Sequence, residues 1–320
     1  MLLRVKDLSV EFKTSAGNAR AVDGVSFNIE EGKTHVLVGE SGCGKSVTSL
    51  AVIGLLPGNA SLQGGQIEFK GKDLTKLSRT EYREYRGSEM GMIFQEPMTA
   101  LNPVVRVGHQ IEEAIRQHRH KSPLKNEDPF KRSVELIDQM GIKEPEKSYY
   151  KYPHELSGGM RQRIMIAIAL ACRPSLLIAD EPTTALDVTT QEQILSLMKE
   201  LQNDLGTAIL LITHNLGVVA NNADSMSVMY AGQVVEEGPV SEIFQNPCHP
   251  YTEALFRAIP SLTSVPGSAL HTIPGSVPPA VEFDRMPSPC RFFERCEYQD
   301  ERCFKKSSVP GHNSYCRRET

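Results

Sequence analysis

A glycine-rich string, GESGCGKS at residues 39–46, constrains this chain more than any other feature of its sequence. The apolar run HVLVG, typical of a buried strand, leads into it, and SVTSLAVIGLL, with a helical pattern, follows. Glycines let successive N–H groups turn inward around phosphate oxygens, and the positive end of a helix dipole favours the same anion. Lys45 would neutralise the β- and γ-phosphates of a nucleotide, and the Ser46 hydroxyl would bind Mg²⁺. The predicted nucleotide-binding residues are Gly39, Glu40, Ser41, Gly42, Cys43, Gly44, Lys45, Ser46 and Val47.

One member of this loop, Cys43, carries a thiol with its own chemistry. The simplest explanation is a small side chain at a tolerant position. The positive surroundings of the loop nevertheless predict a lowered thiol pKa, because neighbouring positive charge stabilises a thiolate. We therefore expect thiol alkylation to block activity and bound ATP to protect against it.

Two carboxylates end a second apolar strand, in the string SLLIADEP at residues 175–182. A nucleotide-bound Mg²⁺ needs oxygen ligands, and Asp180 would hold the ion through its water shell. Glu181 would polarise the attacking water as a general base. The alternative is an ordinary acidic turn at a strand end, which the phosphate loop makes the weaker interpretation.

A second glycine turn, LSGGMRQR at residues 156–163, precedes a long helical stretch. Ser157, Gly158 and Gly159 would present a hydroxyl and uncovered N–H groups at a helix N-terminus, which is also a phosphate-binding arrangement. One γ-phosphate has no geometric use for two such arrangements from the same chain. The motif therefore predicts that these three residues contact ATP held by a partner subunit.

Composition and charge restrict the other partners of this 320-residue chain. A formal net charge of −4 gives no support for a polyanion-binding surface, so nucleic acid is disfavoured. The sequence lacks a run of about 18 apolar residues, so we expect no membrane-spanning segment. The N-terminal string MLLRVKDLSVEF alternates and carries charges, as a strand does and a signal peptide does not. These features predict a cytosolic protein.

The pattern along the chain changes twice. Strand-like runs fill residues 1–97, a polar helical stretch follows to about residue 160, and strand-like runs return in LLIAD and AILLIT. The last two runs lack alternation, as expected of parallel strands covered on both faces. SVMYAGQVVEEG predicts a hairpin that turns at Gly232. Residues 260–289 are rich in proline and serine, which predicts an extended connector.

Together these strings resemble the ABC transporter ATPases. GESGCGKS, LSGGMRQR, LLIADEP, TALD and ITH occur in the order and spacing of that family, over roughly residues 1–260. The resemblance implies an α/β fold: a P-loop NTPase (RecA-like) core, an antiparallel β subdomain, a helical subdomain inserted at about 98–165, and a small cysteine-rich C-terminal extension. We expect the ATPase domain at residues 1–259, and the extension, with its proline-rich linker and four-cysteine motif, at residues 260–320.

The resemblance also assigns roles to further residues. Gln95 corresponds to a glutamine that senses Mg²⁺ and the γ-phosphate, and His214 to a histidine that contacts the γ-phosphate and holds the catalytic geometry. Asp187, in TALD, would cross a dimer interface. Phe12, in LSVEF, occupies the place of an adenine-stacking aromatic, and a core strand residue is an equally good interpretation. The implied catalytic residues are Glu181, His214 and Gln95, and the implied Mg²⁺ ligands are Ser46, Gln95 and Asp180.

Within that family, the chain resembles the oligopeptide and dipeptide importer ATPases of bacteria. The strings FQEPMTALNP (94–103), HELSGGMRQR (154–163) and NPCHPYTEALFRAIPSL (246–262) carry this resemblance. It implies peptide import powered by ATP-driven dimerisation of two nucleotide-binding domains, with the chain peripheral at the cytoplasmic face of the membrane. The implied partners are a second, different ATPase subunit, two membrane permeases and an external substrate-binding protein, with a homodimer of the isolated chain as the alternative. Nickel import and a non-transporting ABC ATPase remain open as alternative functions.

Four of the seven cysteines lie in the last 31 residues, with the spacing Cys290-x5-Cys296-x6-Cys303-x12-Cys316. Four thiolates in a short cytosolic segment suggest a metal site, and these gaps are wider than those of structural zinc knuckles. Basic residues of the same segment would offset the negative charge of a thiolate-bound cluster. They are Arg291, Arg295, Arg302, Lys305, Lys306, Arg317 and Arg318. The resemblance implies a [4Fe–4S] cluster in some relatives, and zinc and free thiols remain open.

Overall fold

The computed structural model describes residues 1–95, 100–118, 126–184, 186–258, 271–283, 290–299, 301–304, 313–314 and 316. The chain divides into two compact units. The signature unit comprises residues 1–2, 29–34 and 76–212, and the phosphate-loop unit comprises residues 3–28, 35–75 and 213–320. Each unit therefore combines parts of the chain that are distant in sequence.

Strands and helices follow one another through most of the described residues. The strands are β1 (Leu3–Thr14), β2 (Gly17–Ile29), β3 (Thr34–Val38), β4 (Ala60–Phe69), β5 (Lys72–Asp73), β6 (Met90–Ile93), β7 (Leu176–Asp180), β8 (Ala208–Ile212), β9 (Ser225–Tyr230), β10 (Gln233–Pro239) and β11 (Asn313–Ser314). The α-helices are α1 (Lys45–Val52), α2 (Arg79–Arg83), α3 (Val107–His118), α4 (Pro129–Gln139), α5 (Pro145–Tyr149), α6 (Gly158–Leu170), α7 (Val188–Leu205), α8 (Leu216–Asn222), α9 (Val240–Gln245) and α10 (Pro250–Arg257). Short 3₁₀ helices cover Leu74–Lys76, Pro153–Glu155, Phe293–Arg295 and Glu301–Phe304.

An antiparallel sheet in the phosphate-loop unit has the strand order β2-β1-β4-β5. Leu3 of β1 lies opposite Phe69 of β4, and Phe12 lies opposite Ala60. Leu3, Leu8 and Val10 are fully buried and alternate with exposed or partly buried residues. One face of the sheet is therefore apolar and buried. This sheet is the antiparallel β subdomain that the sequence predicted.

The same unit contains a second set of strands, in the order β11-β10-β9-β3. β3 runs parallel to β9, with His35 opposite Ser225. β9 and β10 form an antiparallel hairpin, and the two residues between them, Ala231 and Gly232, have φ values of 47° and 84°. Two successive positive φ angles are the geometry of a tight hairpin turn, which confirms the turn predicted at Gly232.

The signature unit contains the parallel strands β6, β7 and β8. Met90 of β6 lies opposite Leu176 of β7, which in turn lies opposite Ala208 of β8. Every residue of β7 and β8 is buried, as the uninterrupted apolar runs predicted. Gly91 permits close packing here, because a Cβ atom at this position would lie 2.3 Å from the carbonyl oxygen of Ala169 in α6.

Helices α3 to α6 account for the predicted helical stretch of the signature unit. α4 begins after Asp128, whose carboxylate accepts a hydrogen bond from the Phe130 N–H at 2.9 Å, and buries Leu136 and Ile137. Gly141 follows with a positive φ of 68° and ends the helix. Residues 98–99 and 119–125 of the predicted helical subdomain lie outside the described residues.

Among the helices that the structure describes, each is too short or too polar to cross a membrane. Much of the predicted proline-rich linker, residues 260–270 and 284–289, lies outside the described residues. The boundary between an ATPase domain at 1–259 and an extension at 260–320 therefore stays a prediction.

Candidate functional site

The phosphate loop lies between two regular elements. All five residues of β3 are buried, and α1 begins at Lys45 directly after the loop. The predicted strand–loop–helix unit is therefore present. α1 ends at Val52, before the end of its helical sequence pattern, and Gly54 then adopts a positive φ of 69°.

Two glycines of the loop occupy positions that no larger residue would fit. At Gly39, with a φ of 149°, a Cβ atom would lie 2.1 Å from the carbonyl oxygen of Met229. At Gly44, with a φ of 103°, a Cβ atom would lie 2.6 Å from the carbonyl oxygen of Ala21. Both distances are far inside van der Waals contact, so the backbone of the loop packs directly against its neighbours.

Lys45 is buried and folds its ammonium group back over the loop. The residue is 5% exposed. Its Nζ donates hydrogen bonds to the carbonyl oxygens of Gly39, at 2.8 Å, and of Glu40, at 2.9 Å. A buried ammonium group needs such acceptors. The loop therefore holds a positive charge beside its own backbone amides, which is the arrangement that a polyphosphate requires.

The predicted activation of Cys43 is wrong. Cys43 is fully buried, and burial raises the pKa of its thiol, although the ammonium group of Lys45 lowers it. Desolvation of the thiolate outweighs the attraction of the neighbouring charge. The thiol is therefore neither accessible nor activated, and alkylation of the folded chain should be slow.

The remaining predicted nucleotide contacts of this unit are less buried. Within the loop, Ser41 and Gly42 are exposed, and Glu40, Ser46 and Val47 are partly buried. Phe12 lies in β1 and is partly exposed, which is compatible with adenine stacking and with a core role alike. His214 is exposed, two positions beyond the end of β8.

In the signature unit, the two predicted carboxylates lie at the carboxyl end of β7. Asp180, the last residue of the strand, is 6% exposed. Glu181 then leaves the strand with a positive φ of 47°, which is uncommon for a residue with a side chain. Its N–H donates to the carbonyl oxygen of Ile212 at 2.9 Å and fixes the bend. Such backbone strain concentrates at functional sites.

Glu181 and Gln95 are in direct contact although they are 86 positions apart in sequence. Gln95 Nε2 donates to Glu181 Oε2 at 3.0 Å, and the Thr184 hydroxyl donates to the same oxygen at 2.9 Å. The two hydrogen bonds orient the carboxylate predicted to act as general base. Sequence reasoning missed Thr184, whose only signal was a hydroxyl three residues beyond the acid.

The signature residues lie at an exposed helix start. Ser157 is the N-cap of α6, and its hydroxyl accepts a hydrogen bond from the Met160 N–H at 3.3 Å. Ser157 and Gly158 are exposed. A Cβ atom on Gly158 would meet no atom of the described residues within 4 Å, so packing inside the unit does not require glycine. A hydroxyl and a helix N-terminus are therefore accessible from outside the unit.

Asp187 also caps a helix at the surface. Its carboxylate accepts hydrogen bonds from the N–H and the hydroxyl of Thr190, at 2.9 and 2.8 Å, and these bonds lower its pKa. The next residue, Val188, is 72% exposed although it is apolar. Ala185 of the same motif lies outside the described residues. An exposed valine beside a capping carboxylate is compatible with a contact to another subunit.

The C-terminal cysteines do not form a ready-made metal site. Cys290 Sγ lies 3.9 Å from Nε2 of His249. Burial, with smaller contributions from the thiols of Cys303, Cys296 and Cys316, raises the pKa of Cys290 to about 11. Across the described parts of the chain, no group of three or more His, Cys, Asp or Glu side chains is arranged to hold a metal ion. The iron–sulfur prediction therefore gains no support from this arrangement.

Two of the basic residues near these cysteines form ion pairs that the sequence did not predict. Arg291 pairs with Asp23, with Nη2 and Oδ2 2.6 Å apart, and Arg295 pairs with Glu40 of the phosphate loop, with Nη1 and Oε2 2.9 Å apart. Each of these two guanidinium groups therefore already has a carboxylate partner, and the role predicted for them beside a thiolate-bound cluster stays a prediction. Sequence reasoning missed both pairs because 268 and 255 positions separate the partners. The side chains outside the described residues are those of Arg302, Lys305, Lys306, Arg317 and Arg318.

Two protein-family models match this chain. The ABC transporter model matches residues 22–184. A second model, the oligopeptide/dipeptide transporter C-terminal region, matches residues 235–303. The resemblance to ABC transporter ATPases and the resemblance to oligopeptide and dipeptide importers are therefore each matched by a family model in this chain.

Curated relatives and solved structures agree with these matches. The chain is 54% identical over 278 residues to the oligopeptide transport ATP-binding protein OppD of Bacillus subtilis (strain 168), covering 87% of this chain and 77% of that protein. It is 49% identical over 315 residues to AppD, an oligopeptide transport ATP-binding protein of the same organism, covering 98% of this chain and 94% of that protein.

Among solved structures, the chain is similar to a dimeric post-hydrolysis state of the ATP-binding cassette MJ0796 bound to ADP and Pi. The TM-score is 0.66 at 26% identity, covering 75% of this chain and 99% of that chain. A second similar structure is cbiO1 from Clostridium perfringens, part of the ABC transporter complex cbiONQ. Its TM-score is 0.63 at 29% identity, covering 77% of this chain and 91% of that chain. The chain therefore belongs to the ATP-hydrolysing cassette subunits of the ABC transporter family, and within them to the oligopeptide transport ATP-binding proteins.

Proposed function

We propose that this chain hydrolyses ATP to power the import of peptides through an ABC transporter. One observation carries the proposal: the cassette match at residues 22–184 and the oligopeptide/dipeptide transporter match at residues 235–303 occur in the same chain. Nickel import and non-transport functions lack a corresponding match among the relatives described above, which are named for peptide transport.

The phosphate loop would bind the triphosphate. Its backbone amides would donate hydrogen bonds to the phosphate oxygens, and the ammonium group of Lys45 would exchange a carbonyl acceptor for the β- and γ-phosphates. Each charge-assisted hydrogen bond contributes about 1.5–3 kcal/mol. Phe12 is proposed to stack on the adenine, and its partial exposure in β1 leaves its ring accessible for this role.

Hydrolysis would depend on the residues at the end of β7. Mg²⁺, when bound, neutralises phosphate charge, and the oxygen donors of Ser46, Asp180 and Gln95 suit this hard cation. Glu181 would accept a proton from the attacking water. The hydrogen bonds from Gln95 and Thr184 to Glu181 Oε2 support this role, because they hold the carboxylate in one orientation. His214 is proposed to contact the γ-phosphate.

A second subunit would complete the reaction site. Ser157, Gly158 and Gly159 are proposed to contact ATP bound by the partner, and Asp187 to cross the same interface. Their positions at exposed helix starts support this use. The partner is proposed to be a different ATPase subunit, and the pair would act on two membrane permeases and an external binding protein, at the cytoplasmic face of the membrane.

The four C-terminal cysteines carry a separate proposal, a [4Fe–4S] cluster. The number of thiols within this short segment is what supports it. Because the described residues hold no preformed site, the ligands would have to rearrange on binding. Anaerobically purified protein is expected to be brown and to contain iron and acid-labile sulfide. A colourless, zinc-loaded preparation would exclude the cluster.

Reconstitution tests the transport function. The chain, its candidate partner ATPase, permeases and binding protein are assembled in proteoliposomes, and uptake of labelled oligopeptides and of Ni²⁺ is measured with and without ATP. We expect ATP-dependent peptide uptake that the Glu181→Gln variant abolishes. ATP-dependent uptake of Ni²⁺ without peptide uptake would replace this proposal with the nickel alternative.

A further inference from the structure

A short C-terminal segment packs into the core of the phosphate-loop unit. We call Cys290–Cys296 the arginine segment, since it contains two largely buried arginines. Phe292 is 2% exposed, and its ring centroid lies 5.2 Å from that of Tyr230 and 5.3 Å from that of Tyr251. These aromatic contacts anchor the segment.

All three guanidinium nitrogens of Arg295 donate hydrogen bonds in this environment. Its side chain is 7% exposed. Nη1 donates to Glu40 Oε2 at 2.9 Å and to the Tyr230 hydroxyl at 3.2 Å, and Nε donates to the carbonyl oxygen of Pro274 at 2.8 Å. Nη2 makes longer contacts, at 3.4 Å, with Glu40 Oε1 and with the carbonyl oxygen of Ile273. The pair with Glu40 is therefore fixed in direction, unlike an exposed ion pair.

Glu40 is held at its side chain and at its backbone. Arg295 binds the carboxylate, and the Glu40 N–H donates to the hydroxyl of the buried Tyr251 at 3.0 Å. The Glu40 carbonyl oxygen accepts from Lys45 Nζ at 2.9 Å. A single loop residue thus connects the arginine segment with the lysine assigned to the phosphates.

We propose that Arg295 is a positioning residue for nucleotide binding, which acts through Glu40 to hold the phosphate loop in its binding conformation. This inference rests on the nucleotide-binding role proposed above for the loop. A glycine-rich loop has many accessible conformations, so a contact that restricts it beforehand increases affinity for the ligand. The C-terminal region, matched by its own family model, would then increase ATP binding by the cassette through its contact with the phosphate loop.

Nucleotide affinity of the full-length chain tests the inference. Kd for a non-hydrolysable MgATP analogue is measured by titration calorimetry for wild type, Arg295→Met, and the double variant Arg295→Met with Glu40→Gln. Arg295→Met removes a positive charge, which by itself weakens binding of a polyanion. The double variant keeps the net charge, so a change in its Kd reports the lost contacts of the two side chains and not a change in charge. We expect Kd to rise about tenfold in the double variant, because the loop is no longer held.

Two further variants control for packing and charge. Arg257→Met makes the same change in the same unit, at an exposed arginine that pairs with Glu253 on α10, and is expected to keep Kd within about twofold of wild type. Arg295→Lys keeps the charge and much of the packing but loses the forked contacts, and is expected to raise Kd about threefold. The melting temperature of each variant without nucleotide reports its folding.

The outcomes separate the inference from the proposed function. A wild-type chain that fails to bind the MgATP analogue contradicts the proposed function. A wild-type chain that binds, with an equally tight double variant, overturns the positioning role and leaves the function intact. Should the methionine variants fail to fold, wild-type affinity in Arg295→Lys overturns the positioning role instead.

Discussion

The phosphate loop and the signature segment both begin a helix with glycines, but their surroundings differ. In the phosphate loop, Gly39 and Gly44 pack against backbone carbonyls, and Lys45 is buried under two hydrogen bonds to its own loop. In the signature segment, Ser157 and Gly158 are exposed, and a Cβ atom on Gly158 would meet open space among the described residues.

This difference indicates two kinds of partner. A loop in which packing inside its own unit requires glycine at positions 39 and 44 is already shaped before the ligand binds. A glycine that nothing in its own unit requires instead keeps space for something that approaches from outside, which fits a nucleotide presented by another subunit. The following predictions test whether the two segments divide the work in this way.

The largest effect is expected for Glu181→Gln, which removes the proposed general base of the signature unit. Hydrolysis by the assembled transporter should fall about a thousandfold, since general base catalysis contributes 10²–10⁴-fold. Nucleotide affinity should be kept, because the phosphate loop is unchanged. Steady-state ATPase assays and nucleotide titration measure the two quantities. Glu192→Gln, an exposed acid on α7, is the matched control, and near-normal turnover in Glu181→Gln would exclude the base role.

Lys45→Met is expected to raise Kd for MgATP about a hundredfold in the isolated chain. The substitution removes the buried ammonium group and so loses one or two charge-assisted hydrogen bonds to phosphate. Titration of the full-length chain measures this change, and Lys199→Met on the exposed side of α7 is the control. Unchanged affinity would mean that the loop does not bind the triphosphate.

Gly158→Asp should affect hydrolysis and leave nucleotide binding by the isolated chain unchanged, whereas Lys45→Met affects binding itself. The added carboxylate repels phosphate and fills the open space, so hydrolysis by the assembled transporter should fall about thirtyfold. Kd for the isolated chain should stay within about twofold of wild type, because its own loop is untouched. A raised Kd in the isolated chain would show that the signature segment acts on nucleotide bound by the same chain. The contrast between the two segments would then be lost.

Alkylation of Cys43 gives the smallest expected effect. At pH 8 the thiol should react at least about tenfold more slowly in the folded chain than in the urea-unfolded chain, because burial blocks access and raises its pKa. A raised pKa leaves less thiolate at a given pH, so the rate should increase as the pH rises. Mass spectrometry of the peptide containing Cys43 measures the rate. Rapid labelling of the folded chain would restore the original prediction of an activated thiol.

The sequence did not predict contacts between residues that are far apart along the chain. Gln95 was predicted as a sensor residue, but its hydrogen bond to Glu181 depends on the adjacent strands β6 and β7. No local sequence pattern indicates the ion pair between Arg295 and Glu40. The neighbouring cysteines instead suggested that the arginine offsets the charge of a thiolate-bound cluster. The pKa of Cys43 was predicted with the wrong sign because a sequence reveals neighbouring charges more readily than it reveals desolvation.

The sequence by itself determined the strand–loop–helix at residues 34–52, the buried strands β7 and β8, the hairpin at Gly232 and the family of the chain. Each of these depends on residues that are contiguous or on motifs in a set order. Only the tertiary structure decided how deeply Cys43 and Lys45 are buried, which glycines are required by packing, and which carboxylates pair with Arg291 and Arg295. Burial and ion pairing depend on atoms that folding brings together from remote positions, and a local pattern carries no record of those neighbours.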